Sequence, residues 1–401
     1  MKCKIRNFGP ISQGFPNDGY MNINGVVIFI GGQGTGKSSI AKVLSTIFWI
    51  EKALVRGDFS EKTLKLPGRF KKNFSFHGID EYFQKETEID YWGEYYRLHY
   101  SSEKLTIIKN DFGPSVLLPK IMYIPSERNF LSAIPKPSTI SDLSPSIATF
   151  LDEYESAKRK LSGPITLPVK KGSFSYDKLN DVSWVEKKGN KTRLSQSSSG
   201  YQSVIPLFVV TNYLSNLISN EEIPLNVNNF RNIRKELGMI LSNEAIDTSQ
   251  KNYFLNMILP KYRPSYFINI VEEPEQNLFP ESQIRVFHSL LDYFNRQRHN
   301  QLIITTHSPY IVNALSLAVA CFIVQEKSNG NEKIRTSLRE IVPEAAWVSP
   351  DKFTIFQLDE NGTITQLDNH DSLPSDDNLL NVCLGEFNEA FARILEVEDS
   401  L

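Results

Sequence analysis

The sequence predicts an α/β protein whose core is a mainly parallel β-sheet. Short apolar runs at residues 26–30, 266–275 and 301–309 have the length of buried strands, and segments with helical spacing of apolar residues follow them. Strands that alternate with helices in this way usually form parallel sheets. An alternating, aromatic-rich stretch at 91–110, with a polar turn at 101–104, predicts an additional antiparallel hairpin.

Apolar spacing and turn residues predict the remaining elements. They are a strand at 2–7, a turn at 9–18, a helix after residue 39, a strand ending at Pro125, a helix from Ser144 with Pro145 in its first turn, a polar hairpin-like segment at 164–193, a buried helix plus strand at 311–324, a hairpin with its turn at Asn361–Gly362, and a short helix near "NEAFARILE". We predict a core lobe of residues 1–130 and 264–401, and a helical lobe of residues 131–263 with a polar insertion near 219–262.

Composition narrows the class of protein. The 401 residues carry a formal net charge of -2, so no global positive field favours nucleic acid. Three widely spaced cysteines, Cys3, Cys321 and Cys383, are typical of a reduced cytosol and predict a cytoplasmic protein. The longest apolar stretch, at 311–324, is shorter than a bilayer-spanning helix, so we expect no membrane association.

The stretch "GGQGTGKSS" directly follows the first core strand. It matches the G-x-x-x-x-G-K-[ST] template of a phosphate-binding loop between a strand and a helix. Backbone N–H groups of such a loop bind the phosphates of ATP, and we expect Lys37 to reach the β- and γ-phosphates and Ser38 to bind Mg²⁺. The predicted ATP-binding residues of the loop are Gly31, Gly32, Gln33, Gly34, Thr35, Gly36, Lys37, Ser38 and Ser39.

Acidic residues follow the second core strand, and a histidine follows the third. The carboxyl ends of parallel strands lie at the same sheet edge as the phosphate loop, where a carboxylate can face a cation. We expect Glu272 to hold Mg²⁺ or its water, and Glu273 to orient or deprotonate the attacking water. At the same edge we expect His307 to sense the γ-phosphate.

The order of these motifs resembles an ABC-type ATPase head. A phosphate loop precedes a helical segment, the signature "SGYQ" at 199–202, a strand ending in two acids and a switch histidine. The stretches "IRNFGPI", "YIPSERN", "VEEPEQNLFP", "TTHSPYIV" and "FQLDENGTITQL" are similar to the non-transporter, AAA15/AAA21-like branch. That branch includes RecF, the structural-maintenance-of-chromosomes (SMC) ATPases and the ATPases of overcoming-lysogenization-defect nucleases. The resemblance covers nearly the whole chain.

The resemblance implies a P-loop NTPase fold of the ABC-ATPase type, with an antiparallel β subdomain and a helical signature lobe beside the parallel core. It also implies a mechanism in which two copies enclose two ATP molecules. Ser199 and Gly200 of one copy would contact the γ-phosphate held by the other copy's loop, while Glu273 and His307 would serve catalysis. ATP would drive head-to-head dimerisation, and hydrolysis would reverse it.

The chain departs from the common pattern of this branch at several positions. Glu272 stands where Asp is common, Phe279 stands where many members have His, and Tyr201 replaces the second signature glycine. The Q-loop glutamine has no evident counterpart. The candidates for its place, in the loop after "YIP", are Ser126, Glu127 and Arg128.

The resemblance also implies partners. The sequence has no heptad run long enough for a coiled coil and no recognisable nuclease motif. We therefore expect a separate nuclease effector controlled in trans, as in phage-defence systems such as PARIS, with a phage protein as trigger. The alternative is a RecF-like ATPase that binds DNA through basic runs at 65–72 or 231–236. A small-molecule kinase is a third hypothesis, but it leaves Ser199 and His307 unexplained.

Overall fold

The computed structural model describes residues 1–112, 116–134, 137, 140, 142–169, 172–220, 233–234, 237–238 and 261–398. The predicted insertion near 219–262 and the basic run at 231–236 therefore lie largely outside the described residues.

Strands and helices alternate through most of the described chain. The strands are β1 (Lys2–Phe8), β2 (Met21–Asn22), β3 (Val26–Gly31), β4 (Phe83–Trp92), β5 (Tyr96–Ser101), β6 (Lys104–Lys109), β7 (Pro119–Ile124), β8 (Ile165–Thr166), β9 (Gly172–Asp177), β10 (Val182–Lys187), β11 (Asn190–Arg193), β12 (Tyr266–Glu272), β13 (Gln301–Thr306), β14 (Phe353–Leu358), β15 (Ile364–Gln366), β16 (Asn369–His370) and β17 (Leu373–Pro374). The helices are α1 (Lys37–Arg56), α2 (Glu61–Leu64), α3 (Arg69–Lys72), α4 (Arg128–Ala133), α5 (Pro145–Lys160), α6 (Ser199–Ser219), α7 (Pro280–Asn295), α8 (Pro309–Lys327), α9 (Glu332–Ile341) and α10 (Leu379–Glu398).

The core is a six-stranded sheet in the order β15-β14-β3-β13-β12-β7. The strands from β14 to β7 in this order run parallel to their neighbours, and β15 joins through an antiparallel hairpin. The predicted α/β fold with a mainly parallel core sheet is confirmed. Because parallel strands end at one edge, Gly31, Glu272 and Thr306 all reach the same side of the sheet.

The central strand β3 is buried on both faces. Val26, Ile28 and Ile30 belong to the cluster that packs with α5, α6, α7 and α8. Val27 and Phe29 belong to the opposite cluster, which contains the apolar face of α1 and the antiparallel sheet. A strand covered on both faces needs apolar residues at every position, which explains the unbroken run "VVIFI".

Two antiparallel sheets flank the core. The first has five strands in the order β2-β1-β4-β5-β6, and it confirms the predicted hairpin at 91–110 as β5 and β6. Its turn places Ser102 and Glu103 in the left-handed region, at φ of 49° and 60°. The second has four strands in the order β11-β10-β9-β8, and it lies within the segment predicted as a helical lobe.

One prediction in the C-terminal half was wrong, and another gave a helix that was too short. Residues 311–324 form part of the single helix α8 rather than a helix plus a strand. This helix is apolar on most of its surface, so its sequence lacks the periodicity that separates helix from strand. Among the described residues it is long and apolar enough to cross a membrane by composition, yet Ile311, Leu315 and Val319 are buried in the core. The predicted short helix near "NEAFARILE" is the 20-residue helix α10.

Candidate functional site

The phosphate loop joins β3 to α1 at the carboxyl edge of the core sheet. Gly31 and Gly36 adopt φ of 153° and 102°, where glycine is favoured over residues with a side chain. A Cβ on Gly31 would lie 2.5 Å from the carbonyl oxygen of Leu358, and a Cβ on Gly36 would lie 3.0 Å from Cγ1 of Ile11. The backbone conformation therefore favours glycine at both positions, and the carbonyl oxygen of Leu358 also leaves no room for a side chain at Gly31.

Lys37 is the first residue of α1 and is only 5% exposed. Its Nζ donates hydrogen bonds to the carbonyl oxygens of Gly31 at 2.9 Å and Gly32 at 2.7 Å. Burial lowers the pKa of Lys37 to about 8, and the charges of Glu273 and Glu275 oppose that shift. The lysine head group is thus held inside the loop, where a bound phosphate would replace the carbonyl contacts.

The other predicted loop residues differ in their access to solvent. Gln33 and Gly34 are exposed at the tip of the loop. Ser38 is partly buried, and Ser39 is buried at the start of α1. Thr35 is buried, and its Oγ1 donates to a carbonyl oxygen of the loop at 2.9 Å. The tip is therefore open to solvent, while the base of the loop is fixed by internal contacts.

Glu272 is the last residue of β12 and is 2% exposed. Its Oε2 accepts a hydrogen bond from the backbone N–H of Ser126 at 3.2 Å. Its buried Oε1 accepts no hydrogen bond of good geometry among the described residues, although burial, and next the nearby charge of Glu272, raise the pKa of the Tyr123 hydroxyl. A buried carboxylate oxygen without a partner is costly, so this atom fits a site that a cation completes.

Glu273 and His307 face each other beside this position. Oε1 of Glu273 lies 3.6 Å from Nε2 of His307, and both side chains are about one third exposed. Burial, and next the charge of Glu272, raise the pKa of Glu273, whereas burial and the charge of Lys37 lower the pKa of His307. The pair therefore combines a carboxylate of increased basicity with an imidazole that favours its neutral form, as a general base and a hydrogen-bonding partner require.

The backbone of Glu273 is held in an unusual conformation. Its φ of 43° lies in the left-handed region that a residue with a side chain seldom adopts. The N–H of Glu273 donates to the carbonyl oxygen of Thr305 at 2.9 Å. This turn directs the chain away from β12 directly after the buried Glu272, so the two acids occupy different surroundings.

Glu275 connects the same turn to the end of β13. Its Oε1 accepts hydrogen bonds from Oγ1 of Thr306 at 2.7 Å and from the backbone N–H of His307 at 2.8 Å. Burial raises the pKa of Glu275, and the two hydrogen bonds partly offset that shift. Glu275 therefore positions the backbone of His307 relative to Glu273.

Arg128 is fully buried at the junction of three elements. Its guanidinium donates to the carbonyl oxygens of Glu272 and Glu273, each at 2.6 Å, and to that of Pro125 at 3.0 Å. Nε donates to the carbonyl oxygen of Ser203 in α6 at 3.1 Å. Burial lowers the pKa of Arg128 to about 10. One side chain thus ties the acidic turn to the end of β7 and to the helix that carries the signature.

The signature residues begin α6. Ser199 is its first residue and is exposed. Gly200 lies against the chain that follows the acidic turn, since a Cβ there would be 2.9 Å from the carbonyl oxygen of Asn277. Gln202 donates to three carbonyl oxygens of the preceding turn at 3.1 to 3.3 Å. Among the described residues, no hydrogen bond joins Ser199 to the phosphate loop of its own chain.

One family model matches the chain over residues 121–312, and it describes an AAA ATPase domain (AAA_15). The match includes most of β7, Arg128, the signature, both acids of the β12 turn and His307, but it does not reach the phosphate loop. The mixed α/β structure with its parallel core sheet matches the fold of a P-loop NTPase. The predicted resemblance to this class is confirmed.

The chain is also similar to solved structures of SMC heads. The SMC head domain from Thermotoga maritima has 12% identity and a TM-score of 0.34, covering 78% of this chain and 90% of that chain. An SmcHead bound to the C-winged helix domain of ScpA has 12% identity and a TM-score of 0.34, covering 91% and 96%. A Pyrococcus furiosus Smc head bound to the C-terminal domain of ScpA has 10% identity and a TM-score of 0.37, covering 99% and 98%. No curated protein matches the sequence.

The oxygen donors of the ATPase fit Mg²⁺. This ion is usually bound by one or two carboxylates together with substrate phosphates and water. Glu272 offers the unpartnered buried oxygen, and Ser38 offers a hydroxyl beside the loop. Within the described ranges, no group of three His, Cys, Asp or Glu side chains is arranged to hold a metal.

Sequence analysis missed the roles of two residues of the ATPase. Arg128 was only a candidate for the Q-loop position, and nothing in "YIPSER" indicates that its partners lie near residues 203 and 272. Glu275 had no predicted role, although the run "EEPE" places three carboxylates at the end of β12. The predicted loop, acids and histidine do come together at one sheet edge, while Ser199 is exposed at the start of α6.

Proposed function

We propose that this chain binds and hydrolyses ATP and uses the bound nucleotide to control head-to-head dimerisation. The observation that carries the proposal is the meeting of Lys37, Glu272, Glu273 and His307 at one edge of the core sheet. Such an edge combines phosphate binding, a cation ligand and a general base.

Each residue has a separate task in this proposal. Lys37 exchanges its two carbonyl contacts for phosphate oxygens, and the loop N–H groups bind the remaining phosphate oxygens. Mg²⁺, held by Ser38 and Glu272, would neutralise phosphate charge when bound. Glu273 orients a water molecule and accepts its proton, and His307 hydrogen-bonds near the charge that develops on the γ-phosphate.

The exposed position of Ser199 supports a site completed by a second copy. A serine hydroxyl at the start of an exposed helix can bind a phosphate presented by another chain, and the helix N-terminus adds favourable electrostatics. ATP then stabilises the dimer because the closed form binds it more tightly.

Replacing Ser199 by arginine tests this dimer. We expect Ser199→Arg to keep the nucleotide contacts made within its own chain but to lose turnover by about tenfold or more, since a bulky cation at the interface prevents closure. Turnover and sedimentation with ATP measure both effects. Thr336→Arg, at an exposed position of α9, is the matched control and should change neither. Full turnover in Ser199→Arg would contradict the shared site.

The pKa of Lys37 makes ATP affinity depend on pH. Below about pH 8 the lysine is charged and ready to pair with phosphate, whereas above it the free protein must take up a proton before binding. We expect the Kd for ATP to rise by up to about tenfold per pH unit above pH 8. Lys37→Arg should remove this dependence because arginine stays charged. A Kd that is constant from pH 7 to about pH 9.5 would contradict the assignment.

The partner proposed for this switch is a separate nuclease, controlled in trans by a cytoplasmic ATPase in prokaryotic phage defence. The resemblance of the motifs to the branch that includes such ATPases supports it. Direct DNA binding has weaker support, because Lys65 and Lys71 of the predicted basic run lie in ion pairs with Glu61 and Glu103. Co-purification with the product of the neighbouring gene, with and without ATP, tests the partner, and DNA binding at low salt tests the alternative.

A further inference from the structure

A cavity of about 500 Å³ lies on the α1 side of the core sheet, and no phosphate-loop residue lines it. Its walls come from the middle of α1, the turn at 72–77, the strand β7 and the first turn of α5. This volume falls in the range of about 300–1,000 Å³ that is typical of pockets for small ligands.

Two residues that line the cavity, His77 and Tyr123, have a buried polar atom without a hydrogen-bond partner among the described residues. His77 is 5% exposed, and its Nε2 shares a hydrogen bond with Oγ of Ser45 at 3.0 Å. Its Nδ1 is buried and has no hydrogen-bond partner among the described residues. Burial lowers the pKa of His77 to about 3, so the ring is neutral and Nδ1 is either an acceptor or a donor. A buried ring nitrogen of this kind calls for a complementary group.

The side chains around His77 favour a planar molecule with a negative charge. Trp49 and Phe76 line the cavity, yet 47% and 37% of their surfaces are exposed. Exposed aromatic faces of this kind stack on heterocyclic rings. Lys72 is the one charged side chain in the described lining, and Asn73 adjoins it. The cavity therefore offers ring surfaces, a hydrogen-bonding edge and a cation.

We propose that this cavity is a second ligand site, distinct from the ATP site, and that it binds a nucleoside monophosphate. The base stacks on Trp49 and Phe76, and its edge hydrogen-bonds Nδ1 of His77. A nucleobase edge carries donors and acceptors side by side, so it satisfies either tautomer of the histidine. The phosphate pairs with Lys72 through charge-assisted hydrogen bonds.

The walls of this cavity lead to the ATP site. Helix α1 begins at Lys37, and β7 leads to Ser126, whose N–H binds the carboxylate of Glu272. The first turn of α5 forms part of the cavity wall, and α5 precedes the signature helix α6 along the chain. A ligand in contact with all three elements would change the affinity for ATP, and ATP would then change the affinity for that ligand by the same factor.

Binding of AMP, GMP, CMP and UMP to Lys37→Ala tests the site, because this variant lacks the lysine of the ATP site. We expect one site per chain for at least one of the four, with a Kd below about 1 mM by calorimetry. Binding should change the tryptophan fluorescence, and Trp49→Phe should remove that change. Inorganic phosphate alone should bind at least about tenfold more weakly, because it lacks the base.

Two substitutions locate the ligand. His77→Phe keeps approximately the volume of the ring but removes Nδ1. Lys72→Ala removes an exposed cation without altering the core. Each substitution should weaken nucleotide binding at least about tenfold. Lys71→Ala is the matched control, since Lys71 pairs with Glu103 and does not line the cavity. Failure of all four nucleotides to bind at about 1 mM, or binding insensitive to Lys72→Ala, would overturn the proposal. ATP binding by the unaltered protein is measured separately, so a failure here is distinguishable from a failure of the proposed ATPase function.

Discussion

Glu273→Gln should reduce ATP turnover by about a hundredfold or more while leaving ATP binding intact. The amide fills the same space beside His307, but it cannot accept the proton of the attacking water. The ATP-bound dimer should therefore accumulate, because closure still occurs and hydrolysis no longer reverses it. Single-turnover measurements of phosphate release, together with the mass of the complex in ATP, check both results.

Glu275→Gln is the matched control for this experiment. Its side-chain oxygen can still accept the hydrogen bonds from Thr306 and from the N–H of His307, so the turn should remain in place. We expect its turnover to stay within about threefold of the unaltered protein. Equal losses in Glu273→Gln and Glu275→Gln would mean that the turn is sensitive to any loss of charge, and that Glu273 has no special role.

Arg128→Met should lower the free energy of unfolding by about 3 kcal/mol or more. Methionine fills part of the space but donates no hydrogen bond, so the carbonyl oxygens of Pro125, Glu272, Glu273 and Ser203 lose their shared donor. Urea unfolding measures the change. Turnover should also fall, since the acidic turn is no longer tied to α6.

Arg285→Met provides the comparison for Arg128. Arg285 lies on the surface of α7 with 54% of its side chain exposed and pairs with Glu281. Its loss should change the free energy of unfolding by no more than about 0.5 kcal/mol. If Arg128→Met changed the free energy of unfolding by a similarly small amount, the hydrogen bonds of the buried guanidinium would do no more than offset the free-energy cost of its burial.

The sequence was informative wherever a local pattern determines the structure. The phosphate loop, the strands before it and after it, and the hairpin turn at Asn361–Gly362 depend on neighbouring residues, and each was predicted. The helix α8 was mispredicted in part, because apolar residues such as Leu317 and Val324 also occupy its exposed side, so no polar stripe reveals its period. The partners of Arg128 lie about 75 and 145 residues away along the chain, so no local pattern could indicate them.

The placement of β3 has a consequence for the order in which the molecule can be built during synthesis. This strand carries the phosphate loop near the N-terminus, but its two neighbours in the sheet are β13 and β14, which the ribosome delivers about 270 residues or more later. Until then both long edges of an apolar strand lack their backbone partners. A nascent chain must therefore keep "VVIFI" from pairing with other strands, and ATP binding cannot assist folding before residues 353–358 have emerged.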